Sequence, residues 1–294
     1  FGLAPSRRRG RSPGIALIPY KTCSFDCIFC QLGRTTVKTV ERRSYVPVET
    51  VEKELRQWLD SDGRADYLTL SGSGEPTLHA DFGRLIDFAH SKTSIPVALL
   101  TNGSLLAESD VRVQACRADL VKVSLSAWNE EGFQHVNRPH ASLRFDALTK
   151  GIGAFREEFK GQLWMEVFLV WGTNTTERDI DRLADLVGTI GADRVQLNTA
   201  VRPPCEDYAF AVPEDRMRAL AGRFRPPADV IAEYSADTTS RTKTSEEAIL
   251  QMLARRPCTL NQICGSFGLH RNEAAKYLGK LTRTGQVAEE RRGG

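Results

Sequence analysis

The chain has 294 residues, 41% of them hydrophobic and 26% charged, a globular composition that excludes disorder, collagen and coiled coil and supplies at least one full core. No stretch approaches the roughly 18 uninterrupted apolar residues of a membrane helix, and the apolar run after the arginines of residues 6–11 is too short for a signal peptide, so a cytoplasmic protein with no membrane partner is expected. Nine basic against two acidic residues over 1–43, 21 against 30 over 44–240, and ten against five over 241–294 place basic ends around an acidic body, a distribution suited to a polyanion such as RNA.

Short aliphatic runs open the pattern at 14–18 and recur at 67–70, 97–100, 120–125, 163–170 and 195–197. They are mostly unbroken, as strands buried on both faces are. Between them lie amphipathic segments: Val51, Leu55, Trp58 and Leu59 at helical spacing, then 82–90, 109–116, 145–159 and 176–190. Strand and helix alternating about six times predicts parallel βαβ units. The simplest closure is a partial (β/α)6 barrel, an α/β fold, over residues 1–224.

Arg225-Pro-Pro-Ala-Asp229 interrupts that pattern and 235–244 is polar, so a linker is expected over 225–244. Residues 245–294 then carry helical patterns at 246–254, 259–266 and 271–282, with a turn at Gly268-Leu269 and a candidate β wing at Gln286-Val287-Ala288. This is the outline of a winged helix-turn-helix. Leu269, Ala274, Tyr277, Leu278 and Leu281 would pack inward, while Lys276 and Lys280 share the outer face with Arg271 and Asn272 near its start.

Three of the seven cysteines fall within eight residues, as Cys23-Ser-Phe-Asp-Cys27-Ile-Phe-Cys30. In a chain without an export signal such a cluster reads as metal or redox chemistry. Three thiolates can hold three irons of a cubane and leave the fourth open to a substrate, whereas a structural zinc site needs a fourth Cys or His close by. The nearest histidine is His79. Cys116, Cys258 and Cys264 read as packing, and Cys205 as the one extra cysteine placed for chemistry.

The C-x3-C-x2-C spacing after the first strand closely resembles the radical S-adenosylmethionine (radical SAM) superfamily, as does Phe29 before the third cysteine. A second match follows the second strand, where Gly72-Ser73-Gly74-Glu75-Pro76 resembles the family's GGEP motif. The resemblance implies that Cys23, Cys27 and Cys30 hold a [4Fe–4S] cluster, and that the open iron binds S-adenosylmethionine. It also implies that Gly72, Ser73, Gly74, Glu75 and Pro76 contact the methionine part of that cofactor. Asn102, Ser124 and Ser126 would lie near its ribose or carboxylate, and Asn198 would face the adenosine or the substrate. The plainer reading of Glu75 is a solvated loop acid, and of the polar strand ends, helix caps.

Pro5-Ser-Arg-Arg8, Gly10-Arg-Ser12, 19–27, Asn137-Arg-Pro139 and Arg202-Pro-Pro204 further resemble the stand-alone radical SAM proteins related to the wybutosine-synthesising tRNA enzymes. Residues 1–22 hold no cysteine, so the second cluster motif of the archaeal enzymes is not among them. The resemblance implies an oxidoreductase that takes one electron from a flavodoxin- or ferredoxin-type donor. It would cleave S-adenosylmethionine reductively to a 5′-deoxyadenosyl radical and abstract a substrate hydrogen, with an RNA (tRNA) nucleoside as the first substrate class. The alternatives are a protein or peptide substrate, including a glycyl-radical enzyme, and a cluster-based redox sensor with a DNA-binding tail. Lys21 and Lys122 are placed to bind a carboxylate or phosphate, and Arg7, Arg8, Arg9 and Arg11 form either a solvated arm or a phosphate contact.

Overall fold

The computed structural model describes residues 2–6, 10–61, 63–200, 204–231, 246–255, 257–267, 269, 271–288 and 290. Strand β1 (Gly2–Ser6) pairs antiparallel with β2 (Gly10–Ile15) at the edge of an eight-stranded sheet. From β2 onward every pairing is parallel, through β5 (Leu68–Leu70), β6 (Val97–Thr101), β7 (Leu120–Ser124), β8 (Gln162–Leu169), β9 (Arg194–Thr199) and β10 (Asp229–Ile231). Between β2 and β5 the chain forms a two-strand parallel clasp, β3 (Thr22–Cys23) on β4 (Val37–Lys38).

Helices α1 (Val48–Asp60), α2 (Phe82–Lys92), α3 (Ser109–Ala115), α5 (Phe145–Glu158), α6 (Glu177–Ile190) and α7 (Glu214–Ala221) carry the crossovers. A single turn, α4 (Glu130–Gly132), runs into a π-helical turn at Phe133–Asn137. One face of the sheet packs on the helices through alternate residues, among them Leu70, Leu99, Val121, Met165 and Leu197, against Leu55, Ile86, Ile152, Phe155 and Val187. The other face is apolar at one end, where Ala98, Leu120 and Trp164 cluster. Toward the strand C-termini it becomes polar with Lys122, Ser124, Glu166, Gln196 and Asn198.

Most strand residues are buried on both faces, as expected, but the second face carries polar groups. Alternation along a strand sends every second residue to the opposite side, and these strands assign that side to polar groups. The strand expected at 14–18 is β2, which starts at Gly10, paired with β1, and ends at Ile15, where Gly14 and Ile15 pair with Thr69 and Leu70. Strand β10 falls inside the stretch read as linker, with Val230 beside Leu197 of the last expected strand.

The tail forms α8 (Glu246–Arg255), α9 (Leu260–Phe267) and α10 (Arg271–Arg283) around Ile249, Ile263, Ala274 and Leu281. Cys258, Cys264, Leu269, Tyr277 and Leu278 pack against that centre, as their spacing predicted. Among the described residues the wing does not form. The chain turns after α10, where Gln286 and Val287 both donate their N–H to the carbonyl of Leu281, and 286–288 is not a strand. Gly268, Arg7, Arg8, Arg9, Arg202 and Pro203 lie outside the described residues, as do the side chains of Arg11, Arg271 and Asn272.

Candidate cluster and cofactor site

The cysteine loop leaves β2 and is fastened to three neighbours. Lys21 takes a left-handed backbone, φ 60°, which turns its N–H onto the carbonyl of Ser73 at 2.7 Å and lets its own carbonyl accept from Thr36 and Val37. The N–H of Glu75 donates to the carbonyl of Thr22 at 3.2 Å. On the far side, Asp26 and Ile28 donate to the carbonyls of Asn137 and Val136, and His140 donates to that of Ser24. Phe29 stacks on Phe168 with ring centroids 3.9 Å apart.

Gly74 is required by this closeness. A Cβ there would stand 1.8 Å from the carbonyl oxygen of Thr22, so only glycine lets the end of β5 meet the cysteine loop. Gly72 is less confined, its Cβ position lying 3.1 Å from that of Ala16. Pro76 is buried at the first position of a 3-10 turn, Pro76–Leu78, where its missing N–H costs nothing.

The three cysteines come together. Burial pushes the Cys23 thiol up to about 12, with the Glu75 charge adding to it. Cys27 is pushed well up, first by burial and then by the charges of Cys30 and Cys23. Burial and the neighbouring charges thus hold Cys23 and Cys27 in the thiol form until a cation binds them. Each also receives one side-chain N–H: Lys21 Nζ donates to Cys30 Sγ at 3.3 Å, Asn102 Nδ2 to Cys23 Sγ at 3.6 Å, and Asn137 Nδ2 to Cys27 Sγ at 3.5 Å.

This donor set fits an iron–sulfur cluster better than a single ion. A cubane places each cysteine on a different iron, so the sulfurs need not converge on one point. Among the described residues no three His, Cys, Asp or Glu side chains are gathered for one metal ion. His79 is no fourth ligand: it is buried, with Nε2 2.8 Å from the carbonyl of Val46 and Nδ1 accepting the N–H of Asp81.

Glu75 corrects the reading of a solvated acid. It is 2% exposed and its carboxylate is filled by the chain's own donors. Oε1 accepts from Thr77 N at 3.1 Å, Thr77 Oγ1 at 2.7 Å and Thr101 Oγ1 at 2.6 Å, and Oε2 accepts from Asn102 N at 2.7 Å. Burial nonetheless raises its carboxyl above the usual range. The side chain bolts the end of β5 to the end of β6, and Asn102, aligned by that bolt, reaches Cys23.

The remaining expected residues divide. Ser126 is 1% exposed, with Oγ accepting the N–H of Phe168 and its carbonyl accepting from Asn174 Nδ2, which makes it part of the β7–β8 junction. Ser124 stands beside Glu166 on the polar face, and Asn198 donates to Glu166 Oε1 at 2.9 Å. Glu166 also pairs with Lys122, so that lysine is already neutralised, and Lys21 is turned onto Cys30 and the carbonyl of Gly33. Cys205 lies next to Glu206, 3.8 Å from Oε1. Burial and then the Asp26 and Glu206 charges raise its thiol, the reverse of an activated nucleophile. Glu166 and Thr77 were missed by sequence reasoning, Thr101 stood only among the polar strand ends, and Asn137 was noted only as part of a motif.

The radical SAM superfamily matches residues 17–187. The chain is 37% identical to a GTPase Obg of Brachyspira hyodysenteriae over 294 residues, which is 99% of this chain and 43% of that protein. It is 34% identical to a UPF0026 protein of Helicobacter pylori over 270 residues, 89% of this chain and 85% of that one. A radical SAM methyltransferase from Sphaerobacter thermophilus shares the fold with a TM-score of 0.56 at 18% identity, over 75% of this chain and 65% of that one. The chain thus spans less than half the length of the Brachyspira relative. The superfamily uses a [4Fe–4S] cluster and S-adenosylmethionine. More than half of this chain, including all three clustered cysteines, lies in the matched segment, and the chain belongs to the radical SAM superfamily.

Proposed function

We propose that Cys23, Cys27 and Cys30 hold the cluster and that the chain is an enzyme cleaving S-adenosylmethionine reductively to act on an RNA nucleoside. The observation that carries the cofactor half is the set of three cysteine sulfurs on one short loop, each with its own N–H donor. When bound, the cluster supplies the single electron that breaks the sulfonium C–S bond, and enzymes of this superfamily need an external electron donor to reload it.

The chain's own residues prepare that site. Gly74 brings the backbone of 73–75 against the cysteine loop, where Ser73 and Glu75 bond to Lys21 and Thr22. Glu75 and Thr101 fix Asn102. The polar face built from Lys122, Glu166 and Asn198 offers both signs of charge and an amide. The RNA half rests on the basic tail, where Lys276 and Lys280 stand exposed one helical turn apart on α10, and on the motifs similar to the wybutosine-related group.

Anaerobic reconstitution with iron and sulfide tests the first half. About four irons per chain are expected, lost in Cys30→Ala, with dithionite-driven release of 5′-deoxyadenosine and methionine. Stoichiometric zinc in place of iron would refute it. For the second half, Lys276→Ala with Lys280→Ala should flatten the salt dependence of RNA binding by about two units of slope. No RNA binding by the parent at low salt overturns the RNA reading and leaves the cofactor reading standing.

A further inference from the structure

The three N–H donors on the cysteine sulfurs come from three separate parts of the chain. Lys21 precedes the loop, Asn102 follows β6, and Asn137 ends the π-helical turn. Each is held from behind. Lys21 is 3% exposed, its backbone fixed by the bonds to Ser73, Thr36 and Val37. The amide of Asn102 is oriented at both ends, since Nδ2 also donates to Ser24 Oγ at 2.8 Å and Oδ1 accepts from Ser104 N at 2.9 Å. Asn137 is 5% exposed, and its carbonyl accepts from Asp26 N at 3.1 Å.

We propose that Lys21, Asn102 and Asn137, each placed against a different cysteine sulfur, act together to raise the reduction potential of the cluster those cysteines hold. This rests on the cysteine assignment above. A reduced cluster carries one more negative charge than its oxidised form, and part of that charge sits on the thiolate sulfurs. Donors aimed at the sulfurs therefore stabilise the reduced form more, and hydrogen bonding to sulfur is one of the levers that set such potentials. Lys21 adds a full positive charge in a sheltered place, where charge interactions are less screened than at the surface. Its effect should exceed that of either amide. All three are positioning residues, since they act through the ligands.

The test is an EPR-monitored redox titration of the full, anaerobically reconstituted chain without S-adenosylmethionine or substrate, with iron measured on each sample. Lys21→Met, Asn102→Ala and Asn137→Ala should each lower the ratio of reduced to oxidised cluster at fixed potential. About tenfold is expected for Lys21→Met, or about 59 mV for a one-electron couple, with less for the amides and recovery in Lys21→Arg. Full iron with unmoved midpoints overturns the proposal. If a variant loses its cluster, the parent labelled with 15N at the lysine side chain gives a second measurement. A 15N hyperfine coupling to the reduced cluster supports the proposal, and its absence overturns it. A parent that binds no iron would instead refute the cysteine assignment.

Discussion

Replacing Glu75 by Gln separates two roles for one carboxylate. In the structure Oε1 takes three donors and Oε2 takes the N–H of Asn102 at 2.7 Å. A glutamine that keeps its oxygen in the crowded position points an NH2 at the Asn102 N–H, so a buried donor loses its acceptor. That costs about 1–3 kcal/mol, the range for an unsatisfied buried group. Removing a buried charge recovers part of it, which leaves about 2 kcal/mol of destabilisation at pH 7 as the expected result.

The pH dependence comes from the same geometry. Burial raises the carboxyl in the folded state, so the folded chain holds this proton at pH values where the unfolded chain has released it. The contribution is complete below the unfolded value, near 4.3 for a glutamate, and is lost as pH rises through the folded one. A protonated carboxyl still offers Asn102 an accepting oxygen and an amide NH2 does not, so the gap between parent and Glu75→Gln should be widest in acid and narrow upward. Urea unfolding of parent and variant at pH 5 and pH 7, with S-adenosylmethionine binding measured alongside, reads both effects. A variant within about 0.5 kcal/mol of the parent that binds S-adenosylmethionine poorly would show that the carboxylate serves the ligand and not the fold.

Gly74→Ala should be worse than any other glycine substitution near the site, because the new Cβ meets the Thr22 carbonyl at 1.8 Å; a loss of about 3 kcal/mol or more with depleted iron is expected, and iron analysis with thermal unfolding checks it. Gly188→Ala, inside α6 with nothing within 4 Å of the added atom, should raise stability by about 1 kcal/mol without altering iron content. Thr176→Ala removes the reciprocal cap on α6, in which Thr176 Oγ1 accepts from Asp179 N at 3.2 Å. It should cost about 1 kcal/mol in a denaturant titration.

What the sequence by itself determined was carried by local spacing. Cys23, Cys27 and Cys30 lie within one short loop, and the alternation of aliphatic runs with amphipathic segments placed the parallel sheet and the helices of its crossovers. The three tail helices were legible for the same reason, since 3.6-residue periodicity needs no distant partner. Tertiary structure decided what depends on pairing across the chain. Strands β1 and β10 have little hydrophobic pattern of their own and exist because β2 and β9 offer them open backbone edges. The wing expected after α10 did not form as a strand, since the N–H groups of Gln286 and Val287 turn back onto Leu281. Glu75 was found as a motif residue, but the donors that fill it include Thr101 and Asn102, 26 and 27 residues further on. Asn137 stands 110 residues from the cysteine it touches. Such contacts have no period and no spacing to betray them, because they are set by how strands register and where loops dock rather than by neighbours along the chain.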